Sequence, residues 1–336
     1  MTAYILRRLL LMVPTMLGIT TVCFFLCQML PGGPVEQQIA RIRHAGAMRG
    51  ASARDVPQEE IELLKKQYGY DKPAYVRYAL WLGNVAHFNF GTSLVYHQPV
   101  LKVMVSKMPL SLFFGLTSFI ISYLVSIPLG VQKALTHGSF SDAVSSAVVS
   151  AGYVVPSYAL GIILIILFAG GSYLNWFPIG GLVSDDYENL SAMGKALDFL
   201  HHMLLPLACY LAGEFAFLVM LMKNSLLDEL GRDYMRTALA KGLSFKQAVW
   251  RQAFRNSLIP IATGIGAIFS LLFTATLLIE KVFDLDGMGM LVFNSMKACD
   301  YSVVMAFITL SSFLIMLGRL FSDIIYVVID PRIRFD

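Results

Sequence analysis

The chain has 336 residues, of which 57% are hydrophobic and only 14% are charged, and its formal net charge is +4. A soluble domain carries roughly 25% charged residues, so this composition excludes an ordinary soluble protein and predicts one that crosses a membrane several times. The net charge is too small to suggest nucleic-acid binding. The four cysteines form no CxxC or Cys/His pattern, so we predict neither a disulfide framework nor a metal site.

Six apolar segments are long enough to cross a bilayer as helices, which takes about 20 residues. The first follows Arg7 and Arg8, but its apolar run is too long for a signal peptide and no small-residue cleavage site follows it. We therefore expect it to remain as a membrane anchor. The predicted spans cover residues 9–30, 108–135, 143–170, 203–223, 257–280 and 303–328.

The distribution of lysine and arginine predicts the orientation, because short loops on the cytoplasmic side of a membrane protein are enriched in these residues. With a cytoplasmic N-terminus, that side receives seven basic residues within 223–255, together with Arg7, Arg8, Lys133, Arg332 and Arg334. The two short outer loops hold only Lys195, Lys281 and Lys297. Both termini are therefore predicted to be cytoplasmic.

The long outer loop contains two helical patterns. "DVPQEEIELLKKQYGYDKP" begins with a capping residue and acids, and ends with lysines and a glycine. The second pattern has helical spacing over Tyr75, Tyr78, Ala79, Leu82, Val85 and Ala86. The loop is either a lid on the membrane domain or a surface for docking or substrate contact. We predict an anchor at 1–30, a periplasmic insertion at 31–107, and a five-helix core at 108–336.

The cytoplasmic loop 224–256 predicts two short capped helices that meet at an angle. Ser225 with Asp228, and Ser244 with Gln247, have capping-box spacing, and Gly242 is suited to end a helix in the left-handed conformation. A basic amphipathic helix resting on anionic lipid is one interpretation. A DNA-reading motif is disfavoured because both ends are tethered to the membrane. The third interpretation is a rigid lever that inserts into a soluble partner and moves the adjoining spans.

The residues of this loop resemble a known element. "RTALAKGLS" followed by "RNSLIP" is similar to the loop through which ABC-importer permeases dock on an ATP-binding subunit. Where the general importer pattern has Glu and Ala, this chain has Arg236 and Thr237, whereas Ala238 and Gly242 fit it. These departures resemble the B-type permeases of dipeptide and oligopeptide importers. The resemblance assigns coupling to the ATPase to Arg236, Thr237, Ala238, Ala240, Lys241 and Gly242.

Further matches to the same family follow in order along most of the chain: "YILRRLLLMVPTMLGI", "YGYDKP", "FGTSL", "LLIEKVFDLDGMGMLVFNSMKACDY" and "DPRIRFD". "PGGPVEQ" and "AGGSYLNWFPIGGLVS" look closest to the subtype that imports oligopeptides and microcin C. The resemblance implies an all-α integral membrane fold with six transmembrane helices, that of a type I ABC importer permease. It also implies a helical periplasmic insertion between helices 1 and 2, and a location in the bacterial inner membrane.

The chain contains no G-x-x-x-x-G-K-[ST] loop, so we expect it to bind no ATP and to perform no catalysis. The resemblance implies four partners: a second, related permease, two ATP-binding subunits and a periplasmic peptide-binding protein. ATP and Mg would then be used only by the partner subunits, and this chain would bind no cofactor.

Several residues are candidates for the translocation path or an outer gate. Glu214 lies near the middle of the fourth predicted span and is either a path residue or a hydrogen-bonded structural one. Glu280 ends the fifth span and is either a gate residue or an ordinary interfacial one. Ala262, Gly266, Ser270 and Thr274 form a small-residue ladder for helix contact or for the cavity. Gly287, Gly289 and Asp300 complete the candidate set. Pro14, Pro128 and Pro156 are expected to bend their spans.

Two other functions remain open at this point. Related permeases carry nickel or metal chelates, so such cargo is an alternative to peptides. A proton-coupled secondary transporter is the other, although it would require several acids within the spans and often shows inverted repeats. Here Glu214 is the chief intramembrane acid, and no repeat is evident.

Overall fold

A computed structural model describes residues 2–29, 39, 62–63, 66, 71–170, 173–266, 268–269 and 277–329. These residues form helices and connecting turns, without a β-strand among them. The helices are α1 (Thr2–Met29), α2 (Ala74–Ala86), α3 (Val100–Leu135), α4 (Phe140–Val154), α5 (Ser157–Phe168), α6 (Ala192–Leu230), α7 (Asp233–Ala240), α8 (Phe245–Ala248), α9 (Phe254–Ser257), α10 (Ile259–Ile265), α11 (Leu277–Val282), α12 (Met288–Lys297) and α13 (Tyr301–Ile329). The all-helical prediction is confirmed.

Four of these helices are long and apolar enough to cross a membrane by themselves: α1, α3, α6 and α13. They contain the second, fourth and sixth predicted spans and the first as far as Met29, since residue 30 lies outside the described part of the chain. The second and fourth are longer than predicted, because α3 has 36 residues and α6 has 39. Since about 20 helical residues cross the hydrocarbon layer, both helices extend well beyond it.

The third predicted span is broken into α4 and α5, whose axes differ by 103°. The break falls at Val155 and Pro156, which have extended backbone angles. Proline has no N–H to donate and disfavours helical geometry in the residue before it, so the break has a local cause. The bend predicted at Pro156 is confirmed, whereas Pro14 and Pro128 lie inside uninterrupted helices.

The fifth predicted span is described only at its ends, by α10 and α11. Residues 267 and 270–276 lie outside the described part of the chain, so this span stays a prediction. The same holds for most of the first helix predicted in the outer loop. The second helical pattern in that loop is confirmed by α2.

The chain forms two compact units whose boundaries differ from those of the predicted domains. The smaller unit comprises 6–109 and 290–313, and the larger one comprises 1–5, 110–289 and 314–336. In the smaller unit the Tyr78 hydroxyl lies 2.9 Å from Thr20 Oγ1 and accepts a hydrogen bond from Thr21 (2.8 Å). Tyr78 also stacks on Trp81, with ring centroids 6.1 Å apart. Aromatic and hydroxyl contacts thus join α2 to α1.

In the larger unit, α3 and α6 approach each other closely at Gly130. A methyl group added there would lie 2.6 Å from Cβ of Met222 and 2.9 Å from the carbonyl oxygen of Val219. Only a residue without a side chain lets the two backbones come this near. This contact sets the spacing of two long helices in their C-terminal halves.

We expect Gly130→Ala to destabilise the protein by about 1–3 kcal/mol, since overpacking a well-filled contact forces neighbours to move. The measurement is the thermal unfolding midpoint in detergent. Gly18→Ala is the matched control, because a Cβ on Gly18 in α1 meets nothing within 4 Å. Equal midpoints for the two variants would contradict the proposed close approach.

Candidate functional site

Segment 233–257, which we call the elbow, begins with α7 and turns at Gly242. Gly242 has φ +88°, a left-handed backbone conformation that residues with a Cβ adopt only at a cost of roughly 1–2 kcal/mol. Its N–H donates to the carbonyl of Leu239 at 2.9 Å, and the N–H of Lys241 donates to Thr237 at 3.1 Å. Glycine thus ends α7 as the sequence predicted.

The second half of the elbow starts with the predicted capping box. Ser244 Oγ accepts the N–H of Gln247 at 3.4 Å, and Gln247 Oε1 accepts the N–H of Ser244 at 3.2 Å. The helix continues through a π-helical turn at Val249–Ala253 into α9. This turn was not predicted, because the apolar spacing of the segment suits an α-helix equally well. Two short helices on either side of one left-handed glycine are confirmed, and of the two predicted capping boxes the one at Ser244 and Gln247 is present.

The capping box predicted at Ser225 and Asp228 is wrong. Both residues lie inside α6, which continues to Leu230. Ser225 instead donates its hydroxyl to the carbonyl of Ser257 at 2.9 Å. Its role is therefore to attach the end of the elbow to α6, and the spacing of the two residues gave no indication of this tertiary contact.

The inner face of the elbow is buried against the membrane helices. Ten buried side chains form one apolar cluster, the elbow core, with contributions from α3, α6, the elbow and α10. Its members are Val131, Ala134, Met222, Leu226, Met235, Ala238, Ala248, Val249, Ala253 and Ile261. Because close-packed interiors transmit strain, the elbow and the C-terminal ends of α3 and α6 are expected to move together.

Glu229 provides a polar attachment at the rim of this core. Its Oε2 accepts hydrogen bonds from the Tyr234 hydroxyl at 2.5 Å and from the Asn256 amide at 3.4 Å. Burial, and secondly the hydrogen bond to Glu229, raises the pKa of Tyr234 to about 12. The phenol therefore stays protonated and donating at neutral pH. Through Tyr234 and Asn256, Glu229 ties both halves of the elbow to the end of α6.

The outer face of the elbow carries most of the residues assigned to coupling. Arg236, Thr237, Ala240, Lys241 and Gly242 are exposed, whereas Ala238 belongs to the elbow core. Leu239 and Phe245 add apolar surface, 41% and 53% exposed. Arg236 lies 3.7 Å from Asp233 with both side chains in solvent, so this pair contributes little to stability. The exposed face combines an apolar centre with basic neighbours.

Three candidate gate residues lie together in the larger unit. Glu280 is buried, and its Oε1 accepts the N–H of Gly289 at 3.1 Å. A Cβ on Gly287 would lie 2.7 Å from the same oxygen, and one on Gly289 would lie 2.8 Å from the backbone nitrogen of Leu277. Both glycines therefore leave room for a buried carboxylate and its loop. Their part in an outer gate stays a prediction.

Asp300 holds a loop in the smaller unit. Its side chain is fully buried, and Oδ2 accepts hydrogen bonds from the Ser93 hydroxyl at 2.5 Å, from the N–H of Leu94 at 2.9 Å and from that of Val95 at 3.3 Å. The same carboxylate thus fixes the "FGTSL" segment about two hundred positions earlier in the chain. A gate role for Asp300 stays a prediction, and its anchoring role was not anticipated.

The other path candidates have different surroundings. Glu214 is half-buried in α6. Gly266 packs on Gly318 so closely that a Cβ would lie 2.0 Å from the Gly318 carbonyl oxygen, and its N–H donates to Ser322 Oγ at 3.1 Å. Gly266 therefore serves a helix contact, as one interpretation of the small-residue ladder predicted. Ser270 and Thr274 lie outside the described residues.

Comparisons with known proteins agree with this architecture. Residues 126–335 match the family described as binding-protein-dependent transport system inner membrane component. The whole chain is 40% identical to the peptidoglycan transport system permease protein YejB of Agrobacterium fabrum, covering 99% of it. It is 40% identical to the inner membrane ABC transporter permease protein YejB of Escherichia coli O157:H7 and 32% identical to the oligopeptide transport system permease protein AppB of Bacillus subtilis, covering 100% of each.

We expect Asp300→Ala to release the 91–97 loop and to lower the free energy of unfolding by about 3 kcal/mol, because hydrogen bonds to a charged group contribute roughly 1.5–3 kcal/mol each. Limited proteolysis of the loop and the unfolding midpoint are the two measurements. Asp186→Asn, at an exposed position, is the control. A loop that resists protease equally in Asp300→Ala and in the unaltered protein would refute the anchoring role.

Proposed function

The chain belongs to the family of binding-protein-dependent transport system inner membrane components, and from this premise we propose that it is the membrane-spanning permease subunit of an ATP-driven peptide importer. The elbow is the observation that carries this proposal. It is a compact helical body with an exposed apolar face, and its inner face is packed onto two membrane-length helices. Such a body is suited to receive movement from a soluble partner.

Peptides are the substrate that the relatives support. One relative's name specifies oligopeptides and another's specifies peptidoglycan. The chemistry common to both is the peptide, whether free or carried on a larger conjugate such as microcin C. We therefore propose peptides and peptide conjugates as cargo, moved from the periplasm into the cytoplasm.

The partners proposed are a second homologous permease, two ATP-binding subunits and a periplasmic peptide-binding protein. Both termini and the elbow face the cytoplasm in this assembly, in accord with the distribution of basic residues. The ATP-binding subunits use ATP and Mg, and this chain binds no cofactor. When these subunits close, they move the elbows and open the membrane cavity outward; hydrolysis restores the inward-facing state. The binding protein delivers peptide to the outward-facing cavity.

The proposal is tested in proteoliposomes that contain this permease with its second permease and ATP-binding subunits. Labelled peptides of several lengths are presented with the binding protein, and uptake is measured with and without ATP. We expect uptake to require both ATP and the binding protein. Uptake without ATP that stops when the proton gradient is collapsed would instead establish a secondary transporter.

We expect Gly242→Pro to leave membrane insertion intact but to uncouple peptide uptake from ATP hydrolysis. Proline removes the N–H that donates to Leu239 and imposes a φ of about −65° where the elbow has +88°. Gly242→Asn is the matched control, because asparagine tolerates the left-handed conformation. The lever is refuted if the proline variant, at normal protein level, transports as well as the asparagine variant.

We expect Phe245→Ala to weaken co-purification of the ATP-binding subunits at least about fivefold, since an apolar anchor at an interface contributes 1 kcal/mol or more. Phe245 is exposed on the outer face of the elbow, so the fold itself should be unaffected. Tyr173→Ala, another exposed aromatic side chain predicted on the outer side of the membrane, is the control. Equal recovery of ATP-binding subunits with both variants would exclude Phe245 from the interface.

A further inference from the structure

Three charged side chains meet between the cytoplasmic ends of α3, α4 and α6, a group that we call the lysine clamp. Lys223 Nζ lies 2.7 Å from Oδ1 and 2.8 Å from Oδ2 of Asp142, and Lys133 Nζ lies 3.1 Å from Oδ1. Lys133 also donates to Ser145 at 2.6 Å and to Ser146 at 2.8 Å. The side chains of Lys133, Asp142 and Lys223 are only 3%, 6% and 9% exposed.

This arrangement is more than an ordinary ion pair, because two buried cations share one buried anion. Removing charges from water is costly unless they are paired and hydrogen-bonded. Local structure offsets part of the cost of burying these charges. Lys133 lies in the last turn of α3, where the helix dipole favours a cation, and Asp142 lies in the first turn of α4, where it favours an anion. The N–H of Gly138 (3.3 Å) and Nδ1 of His137 (3.2 Å) also contact Oδ2 of Asp142. The carboxylate is held from several directions at once.

The clamp lies directly beside the elbow core. On α3, Lys133 is flanked by the core residues Val131 and Ala134; on α6, Lys223 follows the core residue Met222. Helix α4 contributes no described residue to the elbow core. Farther along α4, Val149 packs with Ala216 and Val219 of α6. At the start of α4, Asp142 contacts Lys133 of α3 and Lys223 of α6, and Lys133 also donates to Ser145 and Ser146, so directed polar contacts join this end to both elbow-bearing helices.

We propose that Asp142 is a positioning residue for energy coupling. By holding the start of α4 to the ends of α3 and α6, it makes the broken span α4–α5 move with the elbow when the ATP-binding subunits close. This inference rests on the proposed function of the chain as an ATP-driven permease. Apolar packing alone would allow the helices to slide. The carboxylate of Asp142 instead has five donors around it, which define a single position. They are Lys223 and Lys133, Ser146 Oγ at 3.2 Å, the N–H of Gly138 and Nδ1 of His137.

The test compares ATP hydrolysed per peptide imported in the reconstituted transporter. Asp142→Asn leaves two buried lysines without a counter-charge, so the double variant Asp142→Asn with Lys223→Met, which removes one charge of each sign, is measured beside it. We expect the double variant to unfold at a higher midpoint than Asp142→Asn, because it leaves one buried lysine without a counter-charge and not two. We expect its ratio of ATP hydrolysed to peptide imported to rise about tenfold, within the range typical of coupling free energies. Lys223→Arg keeps the cation and is expected to stay within about twofold of the unaltered ratio, below the roughly fivefold at which that range begins.

Lys195→Met is the matched control, because it breaks an ion pair with Glu188 (3.1 Å) that lies at the surface. A double variant with an unaltered ratio would overturn the inference, and so would uptake and hydrolysis that decline in parallel with protein stability. Failure of both Asp142 variants to assemble would also count against it, since the clamp would then serve folding. If the unaltered transporter shows no ATP-dependent uptake, the proposed function fails instead.

Discussion

The burial of one face of the elbow against the ends of α3 and α6 is the contact on which the functional interpretation depends. Methionine, leucine, valine and alanine side chains from separate parts of the chain close this core. Because they are buried together, a force applied to the exposed face of the elbow acts on two membrane-length helices. Without that core, the capped helices would be a surface loop of no mechanical consequence. The left-handed turn at Gly242 and the capping box at Ser244 set the shape of the elbow. The elbow core attaches that shape to α3 and α6.

Buried carboxylates form the second level of organisation. Asp142, Glu280 and Asp300 are each surrounded by donors or by glycines that leave room for them. Acidic residues near the ends of membrane spans are commonly interpreted as residues of a gate or of the translocation path. Their contacts here show that each also orders a local backbone segment or a helix end. In a protein with so few charged residues, polar contacts of this kind specify positions that uniform apolar packing leaves free.

Family membership and physical reasoning support each other at different scales. The comparisons cover the whole chain and establish the transport family. They say nothing about how an individual residue acts. The structure supplies that level: an elbow whose inner residue Ala238 is buried while its neighbours Arg236 and Thr237 are exposed, and a clamp that joins a third helix beside it.

The sequence alone determined the features that depend on local chemistry. Apolar length predicted four helices of membrane length. Gly242 and the capping box at Ser244 predicted the turn and the second half of the elbow. Pro156 predicted the break in the third span. What only the tertiary structure decided are contacts between residues far apart in the chain: Ser225 with Ser257, Asp300 with Ser93, and Asp142 with Lys133 and Lys223. Local patterns record the preferences of neighbouring residues for a backbone conformation. The pairing of a buried charge depends on which helices pack side by side, and spacing along one segment contains no information about that.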